Sequence, residues 1–170
     1  MNEQQLQFIL AEVWYLTMLA SFQRVRIYAD PSNPSNHLVR GYLRDELSAL
    51  TPHYTAGPVS DARHIANVQH LADTLSSRCE SLLFEKRFRI GVAQKALNLY
   101  LKYLWCIGQV PEPPHCPFDR TVIQELEGCQ GISWSQFDDL DTYEQLVAAA
   151  RRKASPLSLS EWELRFFNQP

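Results

Sequence analysis

The sequence lacks the cysteine spacings of a metal or redox protein. Its four cysteines, Cys79, Cys106, Cys116 and Cys129, form no C-x-x-C pair, which removes the zinc-finger and thioredoxin readings. His115 adjoins Cys116, but the ligand spacings of a metal site are missing, so neither metal nor cofactor is expected. Reduced thiols in a cytoplasmic protein are the simpler reading. Glycine is scarce at 6 residues and proline numbers 10, which excludes collagen-like and linker-like chains. No apolar run approaches the roughly 18 residues of a membrane span. The longest, Val13 to Phe22, is broken by Tyr15, Thr17 and Ser21, and no membrane partner is expected. The opening Met1-Asn2-Glu3-Gln4-Gln5 has no basic n-region, which reads against a secretory signal. Cationic excess is also missing. A net charge of −3 excludes a protein that coats nucleic acid by charge alone, though not a localised basic groove.

What is present is globular. The 170 residues are 45% hydrophobic and 21% charged, enough for one domain over 1–170 with its own core. No segment alternates like a strand, so the expected class is all-α, a single compact domain of about six to seven helices. Leu6, Ile9, Leu10, Val13, Leu16, Leu19 and Ala20 predict one long helix over 2–29, stopped by Asp30-Pro31-Ser32-Asn33-Pro34. A second helix is expected over about 36–50. Ser60 or Asp61 caps a third, whose stripe runs from Ile65 to Leu83. Gly91 reads as a break or tight turn. The segment 92–107 is apolar on almost every side, which predicts a central, buried helix. Pro111, Pro113, Pro114 and Pro117 then build a stiff loop, Asp119 opens a helix to Leu126, and 135–153 forms another. Ser160 and Glu163 have capping-box spacing for a last helix carrying Trp162, Phe166 and Phe167.

Two features bear on chemistry. Charge is uneven: Arg78 to Lys102 holds six basic and two acidic residues, while Asp119 to Glu144 holds seven acidic and one basic. A basic segment of that kind can meet a phosphate backbone. Within the apolar wall of 92–107, Lys95, Asn98 and Lys102 share one helical stripe. A buried lysine near a second cation loses proton affinity and becomes an amine nucleophile. The proline-rich loop delivers Asp119 to a helix start, where the dipole favours an anion.

Gly91-Val92-Ala93-Gln94-Lys95-Ala96, a helix, and then Pro117-Phe118-Asp119-Arg120 before another helix resemble the helix-hairpin-helix DNA glycosylases. The Gln94-Lys95 pair and the leucine-rich helix after it look most like the archaeal 8-oxoguanine glycosylase branch. The resemblance covers about residues 88–126. Ala93 stands where the hairpin's second glycine would be, Arg89-Ile90 replaces the usual Leu-Pro, and 24 positions separate Lys95 from Asp119. The resemblance implies a monomer acting on DNA, with Lys95 as Schiff-base nucleophile and Asp119 as catalytic aspartate. It implies DNA contacts at Arg89, Gly91, Gln94, Lys102 and Arg120, with hairpin N–H groups holding a phosphate. Tyr100, Trp134 and Trp162 are candidates for stacking on an extruded base. Such a site needs Lys95 and Asp119 to share a cleft, roughly 4–8 Å apart.

Two other classes compete. Arg63-His64 followed by His70 fits the arginine–histidine pattern of HEPN ribonucleases, which would need a dimer facing Arg63 and His70 across a cleft. A non-catalytic helical binding or assembly module is the third, with Trp162, Phe166 and Phe167 as its docking patch; a flat surface near Lys95 would favour it.

Overall fold

The segment that is apolar on nearly every side forms the axis of the fold. The computed structural model describes residues 2–168, and α5 (Ile90–Cys106) lies at their centre. Around it in chain order are α1 (Glu3–Phe22), α2 (His37–Leu50), the single turn α3 (Pro52–Thr55) and α4 (Asp61–Arg78). After α5 come the short α6 (Arg120–Gln124), then α7 (Leu140–Ala154) and α8 (Leu159–Phe167). The protein is all-α, one compact domain. An isolated bridge between Tyr28 and Leu83 is the extended pairing found among the described residues. Helix α5 packs against α1, α4 and α7, α2 packs on α4, and α8 packs on α7. Leu97 and Leu101 are fully buried and Leu104 nearly so. Burying such a leucine contributes about 1.5–3 kcal/mol, so this one helix anchors three neighbours.

The first helix is shorter than its periodicity suggests. It ends at Phe22, Gln23 is extended, and Arg24 turns left-handed at φ 63°. The chain then runs extended beside 82–84. Ala29 N–H donates to Leu82 O at 2.9 Å, and Phe84 N–H donates to Ile27 O at 2.8 Å. Extended backbone turns Ile27 into the core, where it is buried. Helix α4 stops at Arg78 for the matching reason, since 79–83 must turn to meet this segment. Its N-cap is as expected: the Ser60 side chain accepts from Arg63 N–H.

Gly91 is not a tight turn. It lies in the first turn of α5, and its function is close approach. A Cβ there would sit 1.9 Å from Trp134 O. The segment 135–139, expected as helix, stays irregular because its polar groups cap α5. Gly91 N–H donates to Phe137 O at 3.1 Å and Ile90 N–H to Asp138 Oδ1 at 2.9 Å. These are first-turn donors with no partner inside the helix. Helix α7 therefore starts only after Asp139, whose carboxylate accepts from Thr142 N–H at 2.6 Å. The Ser160–Glu163 capping box is also corrected. Ser158 caps α8 by accepting from Glu161 N–H, while Ser160 donates to Pro113 O at 2.8 Å and Glu163 turns inward to Lys102.

Candidate active site

Gln94 decides where the site forms. It is fully buried on α5. Its Nε2 donates to Phe118 O at 2.8 Å and to Gly91 O at 2.9 Å, and its Oε1 accepts from Phe118 N–H at 3.1 Å. The proline-rich loop is thereby fastened along α5, and the residues that follow each partner, Lys95 and Asp119, come together. Lys95 Nζ lies 3.8 Å from Asp119 Oδ2, slightly closer than the expected separation. The other carboxylate oxygen caps α6, accepting from Val122 N–H at 3.1 Å. Asp119 thus has two roles, one per oxygen.

Lys95 is 8% exposed, and its Nζ sits 4.0 Å from the centre of the Trp134 ring. Burial lowers the amine's pKa from the ordinary lysine value, and the Asp119 charge pulls it partly back. The pair opens into a cleft of about 600 Å³, within the span typical of small-ligand sites. Three of the four charged residues lining it are cations: Arg24, Lys95 and Arg120, against Asp119.

Several expected contacts are elsewhere. Lys102 does not face this cleft. Its Nζ is 2.6 Å from Glu163 Oε2 in a separate buried pair, so it is not the cation that depresses Lys95. Gln94 is inaccessible to DNA, as is Gly91, whose N–H is spent on Phe137. Arg89 is engaged by Glu85 and reaches Ser135 O at 3.4 Å. Tyr100 lines a different recess between α1 and α2, and Trp162 stacks on Phe166 in α8. Trp134 does line the cleft, but its ring face is covered by Lys95. The basic stretch is neutralised throughout. Arg78 pairs with Glu46, Lys86 with Glu80, and Arg87 with Asp73 and Asp138. Arg89 pairs with Glu85, Lys95 with Asp119, and Lys102 with Glu163. Arg63 and His70 are exposed on α4; Arg63 reaches His53 Nε2 at 3.4 Å, and His70 lies 3.5 Å from Glu46.

Behind the cleft runs a buried polar chain that sequence reasoning passed over. Asn98 Nδ2 donates to Gln94 Oε1 and to Tyr143 OH, each at 3.2 Å, so Asn98 Oδ1 is the acceptor for His64 Nε2 at 2.7 Å. His64 Nδ1 then accepts from Tyr54 OH at 2.8 Å, and Tyr54 OH accepts from Asn67 at 2.9 Å. On the other side Tyr143 OH donates to His115 Nδ1 at 2.7 Å. These directions follow from neutral imidazoles, the state that burial of both rings favours; a charged ring would instead donate from Nδ1 to the tyrosine hydroxyl. Burial, and for His64 the neighbouring His115, lowers His64 to about 3; burial and Arg151 lower His115 to about 3. Polar residues at core register on α4, His64 four residues before Val68, were the available signal.

No protein-family model, curated protein or solved structure matches the chain. No helix among the described residues is long and apolar enough to cross a membrane.

Proposed function

We propose that the cleft is a Schiff-base site acting on DNA, a glycosylase/lyase-type activity that releases a damaged or modified base and then cleaves the strand. The observation that carries this reading is the Lys95–Asp119 pair, 3.8 Å apart at the wall of an open cleft. A desolvated amine beside a carboxylate is an activated nucleophile with its proton acceptor in place. Lys95, the cation of the resting pair, first releases a proton to solvent, and the Nζ lone pair so freed attacks C1′ of an extruded nucleotide. The C1′–N bond breaks, and its electron pair leaves with the base, which takes a proton from solvent. The attacking nitrogen sheds one proton to Asp119. Its remaining lone pair then opens the sugar to a C1′=Nζ iminium, and O4′ takes that proton from Asp119. Loss of a C2′ proton from the iminium expels the 3′-phosphate. A monomer suffices for this chemistry. The four free thiols accord with the reducing cytoplasm in which the reading places the protein.

The test is borohydride trapping on a panel of oxidised, deaminated and alkylated duplexes. Lys95→Ala abolishes the adduct, and Asp119→Asn slows its formation. The paired substitution Lys102→Met/Glu163→Met, which removes both members of the other buried pair, traps normally. No adduct with any duplex, or an adduct that survives Lys95→Ala, overturns the reading.

A binding or assembly module is the second reading, and one observation favours it. The outer face of α1 exposes Phe8, Tyr15, Leu16 and Leu19 while its inner face packs on α5. A monomer at every concentration in light scattering removes self-assembly from that reading.

A further inference from the structure

A nucleic-acid strand entering this cleft needs its phosphates held, and the expected holders are occupied. The N–H groups of Ile90 and Gly91 are satisfied by Asp138 and Phe137. All six cations between Arg78 and Lys102 have acidic partners within 4 Å. Two cations on the cleft wall do not. Arg24 and Arg120 both line it and are exposed, and neither takes part in an ion pair among the described residues.

Arg24 carries a second signal. Its φ of 63° places a non-glycine residue in the left-handed region, directly after the C-cap of α1. Glycine is the usual occupant of such a position because a Cβ there meets the following carbonyl. The turn itself would form more easily with glycine. Glu85 and Lys86 share this backbone region, but of the three only Arg24 lines the cleft, which points to a use for its side chain there.

We infer that Arg24 and Arg120 form a phosphate clamp on the wall of the Lys95–Asp119 cleft, and that the strained turn after α1 serves the Arg24 guanidinium. The ligand class is a phosphodiester of a nucleic-acid strand, so the inference rests on the proposed function. Guanidinium offers a planar fork of N–H donors that matches two phosphate oxygens, and two forks from separate elements fix a phosphate's position as well as its charge. They also offset the repulsion that Asp119 exerts on an approaching anion. Arg24 and Arg120 are binding and positioning residues; neither enters the covalent steps.

The experiment measures binding apart from chemistry. The probe is a labelled duplex containing a tetrahydrofuran abasic analogue, which has no base to lose and forms no imine. Its affinity for the whole chain is followed by fluorescence anisotropy across a salt series. Arg24→Gly and Arg120→Gln each weaken binding about tenfold. Each lowers the slope of log affinity against log salt by about 0.9. Arg24→Gly also leaves the melting temperature at or above that of the parent, which separates a lost contact from a damaged fold. Unchanged affinity and slope in both variants, with the parent still trapping on lesion duplexes, overturn the clamp and leave the Schiff-base reading intact. Arginine-dependent binding without trapping by the parent supports the clamp and overturns the Schiff-base reading. Absence of both overturns both.

Discussion

Gln94 and Phe118 are joined by two opposed hydrogen bonds, Gln94 Nε2 to Phe118 O at 2.8 Å and Phe118 N–H to Gln94 Oε1 at 3.1 Å. A side-chain amide here acts as a strand partner would, in a chain with almost no sheet. Because Lys95 and Asp119 each come next in sequence, this pairing sets the register of the nucleophile and its carboxylate. Gln94→Leu leaves both Phe118 backbone groups buried without partners. Stability falls by about 3 kcal/mol in urea unfolding. Trapping by Lys95 falls as well, even where the variant is fully folded. A variant that loses stability but traps at the parent's rate shows that the Gln94–Phe118 pairing does not position the site.

Gly91→Ala tests the other contact that shapes the cleft. The added methyl meets the Trp134 carbonyl at 1.9 Å and Phe137 Cδ1 at 3.2 Å. The first of these is backbone, so the segment 134–137 has to shift rather than a side chain rotate. Overpacking of this kind costs about 1–3 kcal/mol, and the shift carries the Trp134 ring away from Lys95. A lower urea midpoint together with altered tryptophan fluorescence of the folded state is expected. An unchanged midpoint shows that the loop yields freely and that Gly91 is not required for its approach.

The all-α class and the central position of α5 were legible because each rests on local pattern, whereas the proximity of Lys95 to Asp119 was expected only from the resemblance to the glycosylases. α5 is uniformly apolar, Lys95 interrupts that wall, and Asp119 sits where a stiff loop meets a helix start. What escaped depends on partners distant in sequence. Gln94 looks like an ordinary polar helix residue until Phe118, 24 positions later, is laid beside it. The cationic stretch looks like a phosphate-binding face until Glu46, Asp73, Asp138 and Glu163 arrive from other elements. Ser160 and Glu163 have the spacing of a cap, but Pro113 O and Lys102 compete for them and prevail. The end of α1 is hidden for another reason: Val25 and Ile27 continue the apolar character, and only the backbone of Arg24 reverses direction.

The two buried histidines make stability depend on pH. His64 and His115, with ring centres 4.6 Å apart, are neutral in the folded protein and take up protons there only near pH 3. In the unfolded chain each titrates at the ordinary value of 6.5. Between those limits the unfolded state binds more protons, so stability is full above about pH 6.5 and declines as pH falls toward 3. The limiting slope is about 1.4 kcal/mol per pH unit for each histidine. Urea unfolding at intervals from pH 7.5 to 5 measures this, above most carboxylate titration. Removing one of the pair, as in His115→Gln, reduces the slope by about half. A flat profile over that interval contradicts neutral burial of both rings.

Asp119→Asn separates the cap from the ion partner. Asparagine caps helices about as well as aspartate, so α6 keeps its Val122 N–H bond and the fold is preserved. What disappears is the negative charge 3.8 Å from Lys95 Nζ. Burial already holds this amine below the ordinary lysine value of 10.5, and Asp119 opposes that shift. Without the carboxylate the pKa falls further. More of the amine is neutral at a given pH, so the rise of the trapping rate with pH moves to lower pH. The plateau nevertheless drops, because the nitrogen has lost its proton acceptor and the developing cationic sugar has lost its counter-charge. The titration can be followed without DNA, by carbon-13 NMR of reductively methylated lysines with Lys95→Ala assigning the resonance. A Lys95 midpoint below that of the exposed lysines, lower again in Asp119→Asn, is the expected pattern. If Lys95 titrates with the exposed lysines or above them, the amine is a structural cation, and the nucleophile must be sought elsewhere.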